Sequence, residues 1–99
     1  MHVGEMRLVL RVPGAQSLKD KRQVVHKIRD RVRARFEVAI GEVESLDEHR
    51  QIVLGVAAVS DDGQVLRSLL DKITRYIEDL YVAELVWRDV DIHSFPVLR

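Results

Sequence analysis

Three cations, Lys19, Lys21 and Arg22, open a segment whose apolar residues Leu18, Val25, Ile28 and Val32 recur at helical spacing. A helix N-terminus carries partial positive charge, so each cation in its first turn costs about 0.3 to 1 kcal/mol, and stability does not explain their placement. A bound oxyanion would explain it, because free backbone N–H groups and cationic side chains would converge on it. Projected at about 100° per residue, Lys19, Arg22, His26, Arg29 and Arg33 form a basic stripe flanking the apolar arc, with Asp20 and Asp30 outside it. The chemistry open to such a set is polyanion recognition. Lys19, Lys21, Arg22, Arg29 and Arg33 are the expected anion- or RNA-binding residues, contacting backbone phosphates rather than bases. The competing account is a solvated face, or ion pairs to another element or subunit. Because Lys21 and Arg22 oppose the helix dipole, replacing both is expected to leave stability intact or slightly improved.

The charge distribution points the same way. Residues 1–35 hold 10 of the 16 Lys and Arg against 3 acids, and residues 36–99 hold 6 against 13, so a chain of net charge zero divides into +7 and −7. A concentrated basic surface attracts polyanions such as RNA. Few aromatics accompany it (Phe36, Tyr76, Tyr81, Trp87, Phe95), which argues against base stacking.

No catalytic site is expected. There is no Cys, which removes thiolate chemistry, disulfides and Cys-ligated metals. The four histidines show no metal spacing, and Asp61-Asp62-Gly63 is too short for a calcium loop but suits a helix cap. Phosphate-loop, dinucleotide and nucleophile-elbow motifs are absent. Neither cofactor nor metal is therefore expected. No segment approaches the ~20 apolar residues of a membrane span, and the N-terminus lacks the apolar run of a signal peptide, so a cytoplasmic protein without membrane contact is expected.

Ninety-nine residues make one domain with one core. Residues 3–12 alternate apolar and charged, the period-2 pattern of a strand with one buried face. Ser17, with Asp20 three residues on, starts a helix to about Ala34. Phe36 to Ile40 reads as a second strand, 45–50 as a hairpin loop and Gln51 to Ser60 as a third strand. A helix spans 63–81, and a strand over 85–94 carries Val86, Val90 and Ile92 on one face and Leu85, Trp87, Asp89, Asp91 and His93 on the other. The order β-α-β-β-α-β, with two right-handed crossovers joined by a hairpin, predicts an α+β ferredoxin-like fold: a four-stranded antiparallel sheet ordered 4-1-3-2 with both helices on one face. Acylphosphatases of this topology pair an arginine with an asparagine, and this chain contains no Asn.

Three blocks carry a resemblance: Ser17-Leu18-Lys19-Asp20-Lys21-Arg22, Phe36 to Val43, and Leu54 to Ser60. In that order they resemble the YlxP-like proteins, a bacterial family of unknown function. The resemblance spans essentially the whole chain. It implies a small ferredoxin-like domain whose genes often lie among those for translation initiation and ribosome maturation, and hence an RNA-facing role with ribosomal or other RNA as partner. It names no catalytic residue.

The open face of the sheet is a second candidate surface. Strand three is apolar at both parities, so some of its residues must point away from the helices, and with Val9, Leu85 and Trp87 they would form an apolar patch of a size monomers seldom expose. A homodimer or higher homo-oligomer burying Val9 and Trp87 is expected, and the alternative function to RNA binding is a small-ligand-binding or regulatory homodimeric module of ACT-like topology. Asp89 and Asp91 are placed to pair with Arg7 and Arg11 across the sheet. Glu42 breaks the alternation Phe36, Val38, Ile40 at a core-facing position, which marks a bulge, the strand's exit from the core or a functional carboxylate.

Overall fold

The computed structural model describes residues 1–96, and Val97, Leu98 and Arg99 lie outside the described residues. The elements run β1 His2–Arg11, α1 Leu18–Arg35, β2 Ala39–Glu44, β3 Gln51–Ser60, α2 Gly63–Glu78 and β4 Glu84–Ser94. All strand pairs are antiparallel, in the spatial order β2-β3-β1-β4. This is the expected α+β ferredoxin-like arrangement. Even-numbered residues of β1 and β3 (Met6, Leu8, Leu10, Ile52, Leu54, Val56) are sealed beneath the two helices with Val25, Ile28 and Val32 of α1 and Leu70, Ile73 and Ile77 of α2.

Each helix starts on a side-chain cap. Ser17 Oγ accepts the Asp20 N–H at 3.1 Å while the Asp20 carboxylate accepts the Gln16 N–H at 2.9 Å. Asp62 accepts the N–H groups of Gln64 and Val65 at the start of α2. Such caps satisfy backbone donors that the first helical turn leaves without partners.

Three boundaries differ from the sequence reading, each for a physical reason. Residues 36–38 are not part of β2: Phe36 ends α1 and turns its ring edge-on to Tyr76 of α2, centroids 5.7 Å apart, so the segment is drawn toward the helices before pairing with β3 begins at Ala39. The second helix stops at Glu78, and Tyr81 adopts φ 53°, a left-handed conformation that closes the helix end. In β4 the register with β1 slips between Val9 and Leu10, so Leu10 faces Leu85 while Val9 faces Trp87. The extra residue, Val86, is exposed, and Leu85 turns to the core side. A bulge of this kind resets the in-and-out alternation.

The approach of α2 to the sheet depends on Gly4. A Cβ there would lie 2.9 Å from Leu66 Cγ and 3.1 Å from a Leu70 Cδ1, both fully buried. Gly4→Ala should therefore destabilise the fold by about 1 to 3 kcal/mol, the usual cost of overpacking, read as a lower urea midpoint with unchanged slope.

On the outer strand, Arg88 reaches back to α2 and donates to Asp71. That hydrogen bond holds the Asp71 carboxyl below its ordinary value, and the positive charge of Arg88 adds to it. A carboxyl depressed in the folded state contributes stability above its unfolded value of about 3.9 and loses it as pH falls through the folded one. Asp71→Asn should thus flatten the fall of melting temperature below about pH 4, with little change at pH 7 because the pair is partly exposed.

Candidate functional site

The helix expected to carry the anion site presents a different cation set from the one read off the sequence. Lys19 and Arg22 are exposed and make no ion pair among the described residues. Arg29 is half-buried and bridges Asp30 at 3.3 Å, so the stripe is partly neutralised within its own helix. Arg33 is exposed, yet donates one guanidinium N–H to the Ile40 carbonyl of β2 at 3.2 Å.

Lys21 is a correction to the expected surface. It is 1% exposed and shares the buried row of α1 with Val25, Ile28 and Val32. Its ammonium donates to the carbonyls of Ser45 (2.8 Å) and Leu46 (3.3 Å). Glu42 Oε2 approaches Nζ to 2.8 Å outside hydrogen-bond alignment, so the Lys21–Glu42 contact is a charge pairing. Ser45 begins the β2–β3 loop in a left-handed conformation at φ 58°, which costs of order 1 kcal/mol or more in a non-glycine residue. Lys21 pins its carbonyl, and Gln51 donates to its hydroxyl at 2.9 Å. A side chain so enclosed cannot reach a polyanion in solution. Nor is the first turn open to an oxyanion, since Ser17 caps it and the Asp20 carboxylate stands beside it.

Glu42 is explained by the same contact. It lies at the core-facing parity of β2 with its side chain 15% exposed, and the register with β3 shifts just after it, at Val43. Bulge and carboxylate therefore act together: one moves the strand off the core, and the other balances Lys21.

What remains at the surface of α1 is broader than a stripe. Lys19, Arg22, Lys27, Arg31, Arg33 and Arg35 are exposed, against only Asp20 and Asp30 in the helix. Arg35 also lies over the Tyr76 ring, 4.8 Å from its centroid. Lys27, Arg31 and Arg35 belong to this surface although they fall outside the stripe, and the same helical projection could have found them.

On the opposite side of the molecule, the open sheet face is mixed rather than apolar. Arg7 pairs with Glu44 of β2 at 2.9 Å and with Asp89 of β4 at 3.5 Å, and stacks over Trp87 at 5.2 Å. Hydrogen bonding to Glu44, followed by its charge, raises the Arg7 guanidinium further above its usual value. The expected Asp89–Arg7 pair is present, but β4 sets Asp91 opposite Glu5 and Glu84 opposite Arg11, so no Asp91–Arg11 pair forms. Val9 lies half-buried between Val53 and Trp87 in register. Trp87 is 49%, Val43 53% and Val59 67% exposed, whereas Val53 is buried and Leu85 has left this face. A shallow groove of about 660 Å³ crosses the face, lined by Gly41 and Gly55 of neighbouring strands, by Glu5, Arg7, Asp89 and Asp91, and at the β2 edge by Arg33 of α1. Gly55 keeps its floor low, since a Cβ there would meet Val43 Cγ1 at 2.8 Å.

Comparison with known proteins adds family and fold. A family described as a protein of unknown function (DUF503) matches residues 3–90. The chain is 34% identical over 64 residues to the uncharacterized protein YlxP of Bacillus subtilis (strain 168), covering 65% of this chain and 70% of that one. Two solved structures share the fold: the de novo designed protein Foldit4 (TM-score 0.51, 18% identity, 96% and 98% of the two chains covered) and a structural-genomics protein, YJCS (TM-score 0.51, 12% identity, 90% and 96%).

Because Lys21 and Glu42 stabilise each other, removing one leaves the other buried and unmatched. Lys21→Met alone should cost about 3 kcal/mol, and Lys21→Met with Glu42→Leu should regain at least half of it, measured as a double-mutant cycle of urea unfolding.

Proposed function

We propose that this chain, which belongs to the DUF503 family, is a cytoplasmic binding protein without catalytic activity whose α1 surface contacts RNA backbone, on the ribosome or elsewhere. The observation that supports this is a helix whose exposed face carries Lys19, Arg22, Lys27, Arg31, Arg33 and Arg35 with two acids. The acids that balance the chain's net charge lie mainly in other elements. Backbone phosphates need charge and donors but no aromatic stacking, which fits a surface built of lysines and arginines. Lys19, Arg22, Arg29 and Arg33 keep their place in the proposal, and Lys21 acts only as the anchor that holds α1 to the β2–β3 loop.

A second reading, a ligand-binding or regulatory homodimer, draws on the open face. Its groove, the exposed Trp87 and the half-buried Val9 would be covered by a twin subunit, leaving both α1 helices outside. The two readings centre on different sides of the molecule and share Arg33, which reaches the edge strand β2 and lines the groove. Light scattering at high micromolar concentration tests the second, with a monomer, or a dimer unaffected by Trp87→Asp, counting against it.

The RNA reading has a quantitative signature. With roughly four phosphates neutralised, single-stranded RNA affinity should fall with salt at a log–log slope near −3, about 0.7 per contact. Changing Arg22 and Arg29 to Ala should flatten the slope by about 1 to 1.5 without a change in fold. Unaltered RNA and ribosome binding in that variant would refute the assignment.

A further inference from the structure

Beyond α1, one group of side chains on the open sheet face has the composition of a metal site. Glu5 of β1 stands directly opposite Asp91 of β4 in the antiparallel register, and His93, two residues on, projects from the same face. His93 Nε2 lies 2.7 Å from Glu5 Oε1 and 3.1 Å from Asp91 Oδ2. One ligand atom from each of the three falls within 4.8 Å of the others.

The electrostatics of the face bear on this grouping. Like charges directly opposite on neighbouring strands destabilise a sheet. The neighbouring cation, Arg7, is already engaged by Glu44 and Asp89, so among the described residues His93 is left as the partner of Glu5 and Asp91. Even when protonated, one imidazole offsets only one of two carboxylate charges, whereas a divalent ion offsets both and uses the neutral ring as a ligand.

We propose that Glu5, Asp91 and His93 form a binding site for a divalent transition-metal ion of the zinc class. One imidazole nitrogen and two carboxylate oxygens are a donor set such ions accept, and the harder alkaline-earth ions favour oxygen alone. Bonds of about 2.0 to 2.2 Å place tetrahedral donors roughly 3.3 to 3.6 Å apart, so around an ion the 3.1 Å Asp91–His93 contact opens by a few tenths of an ångström and the 2.7 Å Glu5–His93 contact by about 0.6 to 0.9 Å, within reach of side-chain rotation at exposed positions. Three protein ligands leave further coordination to water or to an added ligand, and Glu5 and Asp91 also line the groove that contains Arg7. The ligands rest on two paired strands rather than on a loop, which fixes the spacing of their backbones. Asp89, on the same face but engaged by Arg7, is not a ligand.

The test is calorimetric titration of the chelator-treated chain with zinc chloride, repeated on Glu5→Gln, His93→Ala and, as a control, Asp89→Asn. One ion per chain should bind with a dissociation constant in the micromolar range, weakened at least about tenfold in Glu5→Gln and in His93→Ala and little changed in Asp89→Asn. Circular dichroism of each metal-free variant reports its fold, and all three changes lie on exposed side chains. If His93→Ala proves misfolded, His93→Gln takes its place in the comparison. Absence of binding to the folded wild-type chain, or the same affinity in wild type and folded His93 and Glu5 variants, would overturn the site. The outcome is distinguishable from RNA binding by α1, because none of Glu5, Asp91 and His93 belongs to that surface.

Discussion

A β-strand shows alternate residues to two different environments, and here one face of the sheet receives both helices while the other receives none. Everything else follows from which residues are assigned to which side. Met6, Leu8 and Leu10 of β1 are 2%, 0% and 0% exposed, whereas Glu5, Arg7 and Arg11 between them are exposed. A slip of one residue would exchange those sets, burying three charges and exposing three large apolar side chains. The chain tolerates departures from alternation only on the two outer strands, at Val43 and at Val86, where a bulge can be absorbed by a single neighbour. The central pair, β1 with β3, keeps its register without interruption from His2 to Arg11.

The Lys21–Glu42 contact shows how a polar pair can occupy an apolar layer without leaving a charge unmatched. A buried ammonium is costly unless a counter-ion and acceptors surround it, and Lys21 has a carboxylate and two carbonyls. The net stability such a pair contributes is small compared with the loss when one half is removed. Its effect on specificity is larger: only one rotation of α1 brings Lys21 over the β2–β3 loop. That rotation also sets the remaining cations of α1 outward. The anchor and the basic surface are therefore two consequences of one helical orientation.

Much of the architecture was legible because it rests on periodicity and caps. The period-2 runs of β1 and β3, the Ser17 and Asp62 caps and the helical spacing from Leu66 to Ile77 each have a local cause in neighbouring residues. The errors arose where a distant residue decides. Phe36 alternates with Val38 and Ile40, but its N–H closes α1 on the Val32 carbonyl and its ring packs edge-on against Tyr76, which together take it out of the strand. Leu85 and Val86 exchange faces through a bulge whose register is set by β1. Lys21 is the instructive case, because the helical projection already placed it inside the apolar arc, yet its charge outweighed its position in the reading. Glu42 broke the pattern on a different element, and two opposite charges each intruding on an apolar row are a signal for mutual burial. Glu5, Asp91 and His93 were hidden for the opposite reason: two of them share a strand and the third comes from 86 residues away, a spacing given by the β1–β4 register alone.

The proposed surfaces centre on the two faces of the same division. The α1 surface is mostly cationic, and among the described residues its exposed Lys19, Arg22, Lys27 and Arg31 make no ion pair, which suits long-range attraction of a polyanion. The sheet side carries both signs, arranged as Glu44–Arg7–Asp89 on three strands, and paired charges of this kind discriminate at contact more than they attract at long range. A surface of the first kind recruits, and one of the second kind selects. With the family's function open, it is the selective side that offers chemical identity: a groove with a glycine floor, an arginine held between two carboxylates, and a cluster of two carboxylates and an imidazole at its rim. A ligand there would be read by coordination and shape, whereas RNA on α1 would be read by charge, and Arg33, which lines the groove from α1, is where the two sets of side chains meet.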